Sequence, residues 1–440
     1  MNLTELIQRN GYRIKGDRRY HYYDILKKNL TLTKDEMVQL QNRLLQDLIQ
    51  HAYFSTSYYR NIMDGLNLKP NDIRDKTDLQ KMPALTKTDI RQNINALKST
   101  DKFGNNLFLD YSGGSTGNVA VIYKSPFFSQ FQRAAYLRNN LIAKWQPSDK
   151  VVWLWGAPYE HHQLKDSMIA KIGILINRRM LFNAYKYSPD DFPKWVDKIK
   201  KFKPKIIYGY ASIILELSKF LIVNDVRFPT VKCVISTTET LEGRETIENA
   251  FNCDVYDQYG CREIPAIGIE SAKNIMRIAD DVVALNVNDD NEFLVTALHS
   301  YGFPLINYKL GDCGTVVKTS EEDCPDNIPF SCMELKIGRI TDNFLTRSGR
   351  KIASSAIGVY VSSFRIPLME YQVIQNSYDE FVINFIPEGE IDQQNLRKIF
   401  TLVFREYFGS EVKLTFNRVK NIAVEKSGKK LMYKRMFQME

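Results

Sequence analysis

Apolar residues recur at helical spacing between residues 33 and 63, where Leu40, Leu44, Leu48 and Ala52 follow at every fourth position. With the capping pair Thr33 and Glu36 ahead of them, they predict one amphipathic helix. Residues 79–95 read as a loop entering a second helix, with Pro83 outside it and Thr88 as its N-cap. From about residue 105 to 300 the period changes. Short β-branched or aromatic runs stand at Val151–Trp155, Lys205–Tyr208, Lys232–Ser236, Asp254–Tyr256 and Phe293–Leu298. Helical stretches lie between them, such as Ser129–Ala143, Ala211–Val223 and Glu242–Phe251. Strand–helix alternation predicts an α/β fold rich in parallel strands.

Residues 300–337 predict a compact β region. Beyond them, Tyr371–Ile374, Glu380–Ile386 and Val412–Phe416 read as strands and Ile391–Tyr407 as an amphipathic helix. That is a small α+β unit, so the expected domains are 1–337 and 338–440. Length agrees, because 440 residues exceed one typical core.

Composition narrows the class. Apolar residues at 44% and charged residues at 25% fit an ordinary globular protein. No apolar run reaches the roughly 20 residues of a membrane helix, and residues 1–19 carry no apolar leader core. A cytoplasmic protein without membrane insertion is expected. The six cysteines show neither CxxC nor zinc spacing and read as free thiols. The net charge of +9 would suit nucleic acid or an anionic surface. Acids are interspersed, however, and Lys194–Lys205 reads as the solvated face of a helix whose stripe is Trp195, Ile199 and Phe202. A basic enzyme handling a polyanion such as ATP accounts for the charge, and no nucleic-acid partner is expected.

Candidate chemistry sits in short motifs. Ser112-Gly113-Gly114-Ser115-Thr116-Gly117 can turn backbone amides and hydroxyls toward phosphate oxygens. It is not a Walker loop, since Asn118 follows Gly117. Tyr259-Gly260-Cys261-Arg262-Glu263 offers a ring to stack on a base and a carboxylate for Mg²⁺. Asp312, in Lys309-Leu310-Gly311-Asp312, can accept both ribose hydroxyls. Lys429, in Ser427-Gly428-Lys429, is a point charge on a glycine-bearing tip. Each string alone also reads as an ordinary turn, an Asx turn or a solvated basic tail. The adjacent His161 and His162 cannot both face one metal from a strand, so a loop contact to substrate is expected there.

In this order the motifs resemble the adenylate-forming (ANL) superfamily, within the branch of phenylacetate-CoA ligases, coenzyme F390 synthetases and CapK-type proteins. His51-Ala52-Tyr53-Phe54-Ser55-Thr56-Ser57-Tyr58-Tyr59-Arg60 and Met82-Pro83-Ala84-Leu85-Thr86-Lys87 are similar to two segments of that branch. The resemblance implies a large N-terminal adenylation domain and a small mobile C-terminal lid. It implies β- and γ-phosphate contacts from the residues between Ser112 and Gly117. It further implies an adenine pocket lined by Thr237, Thr238, Glu239, Tyr259 and Gly260, and Mg²⁺ on Glu263. Asp312 would bind ribose with Arg339 nearby, Arg262 would face the AMP phosphate, Thr341-Asp342 would be the hinge, and Lys429 would stabilise the adenylation transition state.

The implied reaction is ATP-dependent activation of a carboxylic acid to acyl-AMP, then transfer to coenzyme A. The alternatives are an amine or hydroxyl acceptor in polysaccharide or natural-product biosynthesis, or a degenerate binding module. The acid pocket is expected near Trp155, Tyr159, His161, Tyr210 and Ile264, in a monomer or homodimer. Four departures stand out: Asn118 for Lys, Arg262 for Thr or Ser, Thr237-Thr238 for two glycines, and Thr341 for an acid.

Overall fold

The computed structural model describes residues 2–111, 121–155, 176–184, 187, 189–317, 326–336, 344–349, 351–352, 357–358, 360–361, 364, 366–422 and 433–437. Four helices open the chain: Leu3–Ile14, Arg19–Asn29, Lys34–Ser55 and Ser57–Gly65. The single helix expected over 33–63 is thus two. Thr56 breaks it, adopting φ −127° and ψ 134°. Its hydroxyl donates to the Ala52 carbonyl at 2.7 Å and accepts the Tyr59 N–H at 3.4 Å, closing one helix and capping the next. The helix expected near Thr88 starts at Lys87, and its cap is Thr86, which forms a capping box with Asp89.

An eleven-stranded sheet follows. One half is parallel, in the order Asp254–Tyr259, Cys233–Thr237, Ile206–Tyr210, Val151–Trp155 and Arg179–Asn183. The other half is antiparallel, running from Gly268–Ala272 through Ile275–Ile278, Cys332–Lys336 and Tyr308–Val317 to Glu292–Ala297 and Val283–Val287. The expected parallel sheet therefore occupies only the crossover half, where helices such as Ala211–Val223 and Arg244–Phe251 connect the strands.

Residues Pro126–Ile142 form a helix over the parallel half, with Tyr136 6.0 Å from Tyr208, ring to ring. Its other side is tied down by a fully buried ion pair between Arg138 and Asp281. A small hairpin, Phe108–Tyr111 with Val121–Lys124, stands beside the sheet. The smaller C-terminal domain packs the helix Gln393–Phe408 on a four-stranded sheet, burying Leu396, Phe400, Val403 and Phe404. The expected boundary near 338 lies outside the described residues. Cys233, Cys253 and Cys261 are free thiols, and no described helix is long and apolar enough to cross a membrane.

Candidate functional site

The parallel strands Val151–Trp155, Ile206–Tyr210, Cys233–Thr237 and Asp254–Tyr259 run in one direction and end at one rim. Ligands of such sheets bind beyond the carboxyl ends of the strands. At this rim the rings of Trp155 and Tyr210 stack at 4.5 Å with 9° between their planes.

Tyr259 ends the last parallel strand, and its hydroxyl donates to Asp312 Oδ2 at 3.0 Å. A bulge brings Asp312 there. The pairing between Glu292–Ala297 and Tyr308–Val317 slips between Glu292–Cys313 and Leu294–Lys309, and Gly311 takes φ +83° inside the slip. A glycine bulge re-aims the next side chain off the ladder. The loop after Tyr259 is tight. A Cβ on Gly260 would come within 2.3 Å of the Pro265 carbonyl oxygen, and the Cys261 N–H donates to the Ile264 carbonyl at 3.0 Å.

That loop delivers Glu263, which is 4% exposed, to the Tyr308 hydroxyl; Tyr308 donates to Glu263 Oε1 at 2.8 Å. Burial and the Glu263 charge push the Cys261 thiol well up, so it stays protonated. Among the described residues no cluster of three metal-ligating side chains exists. The donor set fits a cation held mainly by phosphate oxygens. One carboxylate, fixed through one oxygen, leaves the other oxygen for the ion, as Mg²⁺ sites on nucleotides require.

Three distant segments meet beside Glu263. Arg262 Nε donates to Asp110 Oδ1 at 3.1 Å, Lys124 Nζ meets Asp110 Oδ2 at 2.7 Å, and Lys124 also donates to the Arg262 carbonyl at 2.7 Å. Asp110 and Lys124 belong to the two strands whose connection carries Ser112 to Gly117. The hairpin strands are thus tied to the loop bearing Glu263.

Thr238 takes φ +76°. It keeps the left-handed conformation that suits glycine, at a cost of about 1–3 kcal/mol for a β-branched residue. The Glu239 carboxylate turns away to accept the Ser212 N–H at 2.9 Å, at the start of the Ala211–Val223 helix, and burial raises its pKa. Ile264 is fully buried in a different apolar cluster from Tyr210. Residues 112–117, Tyr159, His161, Arg339, Thr341, Asp342 and Lys429 lie outside the described residues. Sequence reasoning missed Tyr308, Asp110 and Lys124. Tyr308 opens the Asp312 motif without a role assigned to it, Asp110 adjoins the Ser112–Gly117 motif, and nothing local marks Lys124.

A titration adjoins the site. Burial, then the charge of Glu270, raises Asp257 to about 7. Glu270 is itself paired through both oxygens with Arg244 at 2.7 Å. A raised acid binds its proton more tightly in the folded state, so stability falls as pH rises from the ordinary carboxylate range through about 7. Asp257→Asn is expected to lose less Tm than the parent between about pH 5 and about pH 8. Equal slopes would exclude Asp257 as the source.

A second polar array lines an open cleft of 390 Å³, where Ser55, His51 and Asp101 resemble a nucleophile–base–acid order only superficially. Ser55 Oγ lies 3.0 Å from His51 Nε2, and His51 Nδ1 lies 3.6 Å from Asp101. His51 Nε2 also faces the Tyr301 carbonyl at 2.8 Å. A carbonyl only accepts, so Nε2 carries the proton and cannot take one from Ser55.

The CapK C-terminal domain matches residues 344–435. Protein CapK of Staphylococcus aureus is 24% identical over 93% of this chain and 91% of its own. Phenylacetate-coenzyme A ligase of Escherichia coli (strain K12) is 23% identical over 64% of this chain and 68% of its own. Two structures of 2-hydroxyisobutyryl-CoA ligase share the fold at 18% identity. The one with 2-HIB-AMP and CoA superposes with TM-score 0.58 over 93% of this chain and 92% of its own. The one with R3-HIB-AMP superposes with TM-score 0.55 over 92% and 91%. The chain is thus similar to protein CapK along most of its length, matches the CapK C-terminal domain over residues 344–435, and shares the fold of the 2-hydroxyisobutyryl-CoA ligase structures.

Proposed function

We propose that the protein activates a carboxylic acid with ATP and passes the acyl group to a nucleophile, coenzyme A in the first instance. The observation that carries this reading is the pairing at one sheet rim of Tyr259 with Asp312 and of Glu263 with Tyr308. A ring that stacks on adenine, with its hydroxyl on a carboxylate that accepts ribose hydroxyls, is a nucleoside cradle. A buried, oriented carboxylate beside it stands where phosphates would lie.

In the first step a carboxylate oxygen of the acid attacks the α-phosphorus, the bond to the β-phosphate oxygen breaks, and pyrophosphate leaves. In the second, the thiol or other nucleophile loses a proton, attacks the acyl carbon and displaces AMP. Tyr308 holds Glu263 in place. Asp110 and Lys124 hold the Arg262 loop. Lys429 supplies positive charge as the phosphoryl charge develops. Mg²⁺, when bound, would rest on Glu263 and neutralise phosphate charge.

The test is acid-dependent ATP–pyrophosphate exchange across aryl, fatty, hydroxy and amino acids, with Lys429→Ala alongside. Exchange with one acid class, reduced about 100-fold or more in Lys429→Ala, is the expected result. Product analysis with CoA, amines and sugars as acceptors then identifies the second step. No exchange with any acid and no ATP binding would leave a binding module on a ligase fold.

A further inference from the structure

The helix Pro126–Ile142 presents Gln132, Tyr136, Asn139 and Asn140 toward the sheet. At about 100° per residue these four share one face roughly 100° wide. Gln132, Asn139 and Asn140 are 4%, 1% and 2% exposed. Among the described residues, both amide atoms of Gln132 and Nδ2 of Asn139 make no hydrogen bond, and the Tyr136 hydroxyl faces Tyr208 and the Asn140 amide without a well-formed hydrogen bond to either. Facing them, Trp153 Nε1 and Gln258 Nε2 are also without partners there. Tyr208 joins the two sides, with its ring 6.0 Å from Tyr136 and 5.0 Å from Trp153, and its hydroxyl donating to Gln258 Oε1 at 3.3 Å.

Arg179, partly buried, completes the group. Its guanidinium stacks on Trp153 at 4.1 Å. Desolvation lowers its pKa, and the largest electrostatic influences on it among the described residues are Tyr136, Tyr12, Arg19 and Tyr208, none of these a carboxylate. Buried amides without partners are rare in folded proteins, and a desolvated cation without a counter-ion is rarer. Water satisfies amides but does not neutralise a guanidinium, whereas a planar anion does both.

The cluster is the floor beneath the site rim. Trp155, which stacks on Tyr208 at 5.7 Å, stands above it, and Gln258 directly precedes Tyr259. Arg179 pairs with Val151, four residues before Trp155 on the neighbouring strand. That offset places the cation on the order of 10 Å below the rim.

We infer that the acid activated here is polar and bears a second anionic group, held by Arg179 and by the amides of Gln132 and Asn140 while the first carboxylate reacts at the rim. This rests on the acid-activation reading and narrows its substrate. It replaces the apolar or aryl acid that the aromatic residues of the region suggest.

The test measures pyrophosphate exchange with graded linear dicarboxylates, hydroxydicarboxylates and phosphorylated hydroxy acids, beside monocarboxylates of equal length. The wild type is expected to favour one doubly anionic series, which also identifies the distal group. In Arg179→Met the ratio of dianionic to monoanionic exchange is expected to fall about tenfold or more. Arg179→Lys keeps the charge and is expected to retain part of the ratio. Trp153 reports binding without turnover, as a saturable fluorescence change on adding the dianionic acid alone. Should Arg179→Met not fold, Arg179→Lys and Gln132→Leu carry the same comparison. Robust exchange of monocarboxylates at an unchanged ratio in every variant would overturn the inference and leave acid activation standing. No exchange and no ATP binding would overturn both.

Discussion

Glu263→Gln is expected to lower the adenylation rate by about 10²–10³-fold with little change in stability, read as pyrophosphate exchange and as thermal unfolding. The substitution keeps size and an oxygen that can accept from Tyr308, so the hydrogen bond now measured at 2.8 Å can persist. It removes only the negative charge. A buried neutral amide is easier to hold than a carboxylate that is 4% exposed, so the fold gains rather than loses. The loss should be partly restored by raising Mg²⁺, because a weakened ion site is the mechanism proposed. Tyr308→Phe frees the carboxylate to turn without removing its charge, and a loss of about tenfold is expected there. Wild-type exchange in Glu263→Gln at limiting Mg²⁺ would remove Glu263 from the proposed machinery.

How much of this was legible before the structure differs between fold and site. Strands and helices of the crossover half were visible because β-branched runs and helical periods alternate there; Ala211–Val223 matches its helix residue for residue. What failed was local. At Thr56 the apolar period runs on, yet one hydroxyl satisfies backbone groups on both sides and splits the helix. The helix Leu3–Ile14 escaped notice because it buries Gln8 and exposes Leu3, Leu6, Ile7 and Ile14, which inverts the usual stripe. In the antiparallel half, the strand near Phe293 and the β region over 300–337 were legible, whereas Gly268–Ala272 and Ile275–Ile278 were missed because they are too short to show a period.

For the site, the motifs were legible and their pairing was not. Tyr259 and Asp312 stand 53 residues apart, and Arg262 and Asp110 stand 152 apart. No spacing rule links them; the bulge at Gly311 and the docking of the hairpin do. The same limit hid the polar floor. Trp153, Tyr208 and Tyr136 read as core aromatics along the chain, and only the fold shows amides and a guanidinium among them.

Asp281→Ala is expected to cost about 3–5 kcal/mol, read as a fall in the main thermal transition. Both partners of its ion pair with Arg138 have no exposed side-chain surface, and the guanidinium meets both carboxylate oxygens, at 2.9 and 2.7 Å. Asn29 also donates to Asp281 Oδ2 at 2.9 Å, and His299 Nε2 donates to its backbone carbonyl at 2.9 Å. Burial lowers His299 to about 4, so that ring is neutral at working pH and brings no replacement charge. Removing Asp281 therefore strands a buried cation and an amide together. The pair itself contributes less than its loss costs, because its formation already required desolvating two charges. Arg138→Met with Asp281→Leu is accordingly expected to recover most of the loss. If the double variant falls as far as the two single ones summed, packing rather than stranded charge is responsible. Arg138 lies on the side of the Pro126–Ile142 helix opposite Tyr136 and Asn140, so the pair fixes that helix in rotation. It holds the unpartnered amides against the sheet, where the polar floor is proposed to take its ligand.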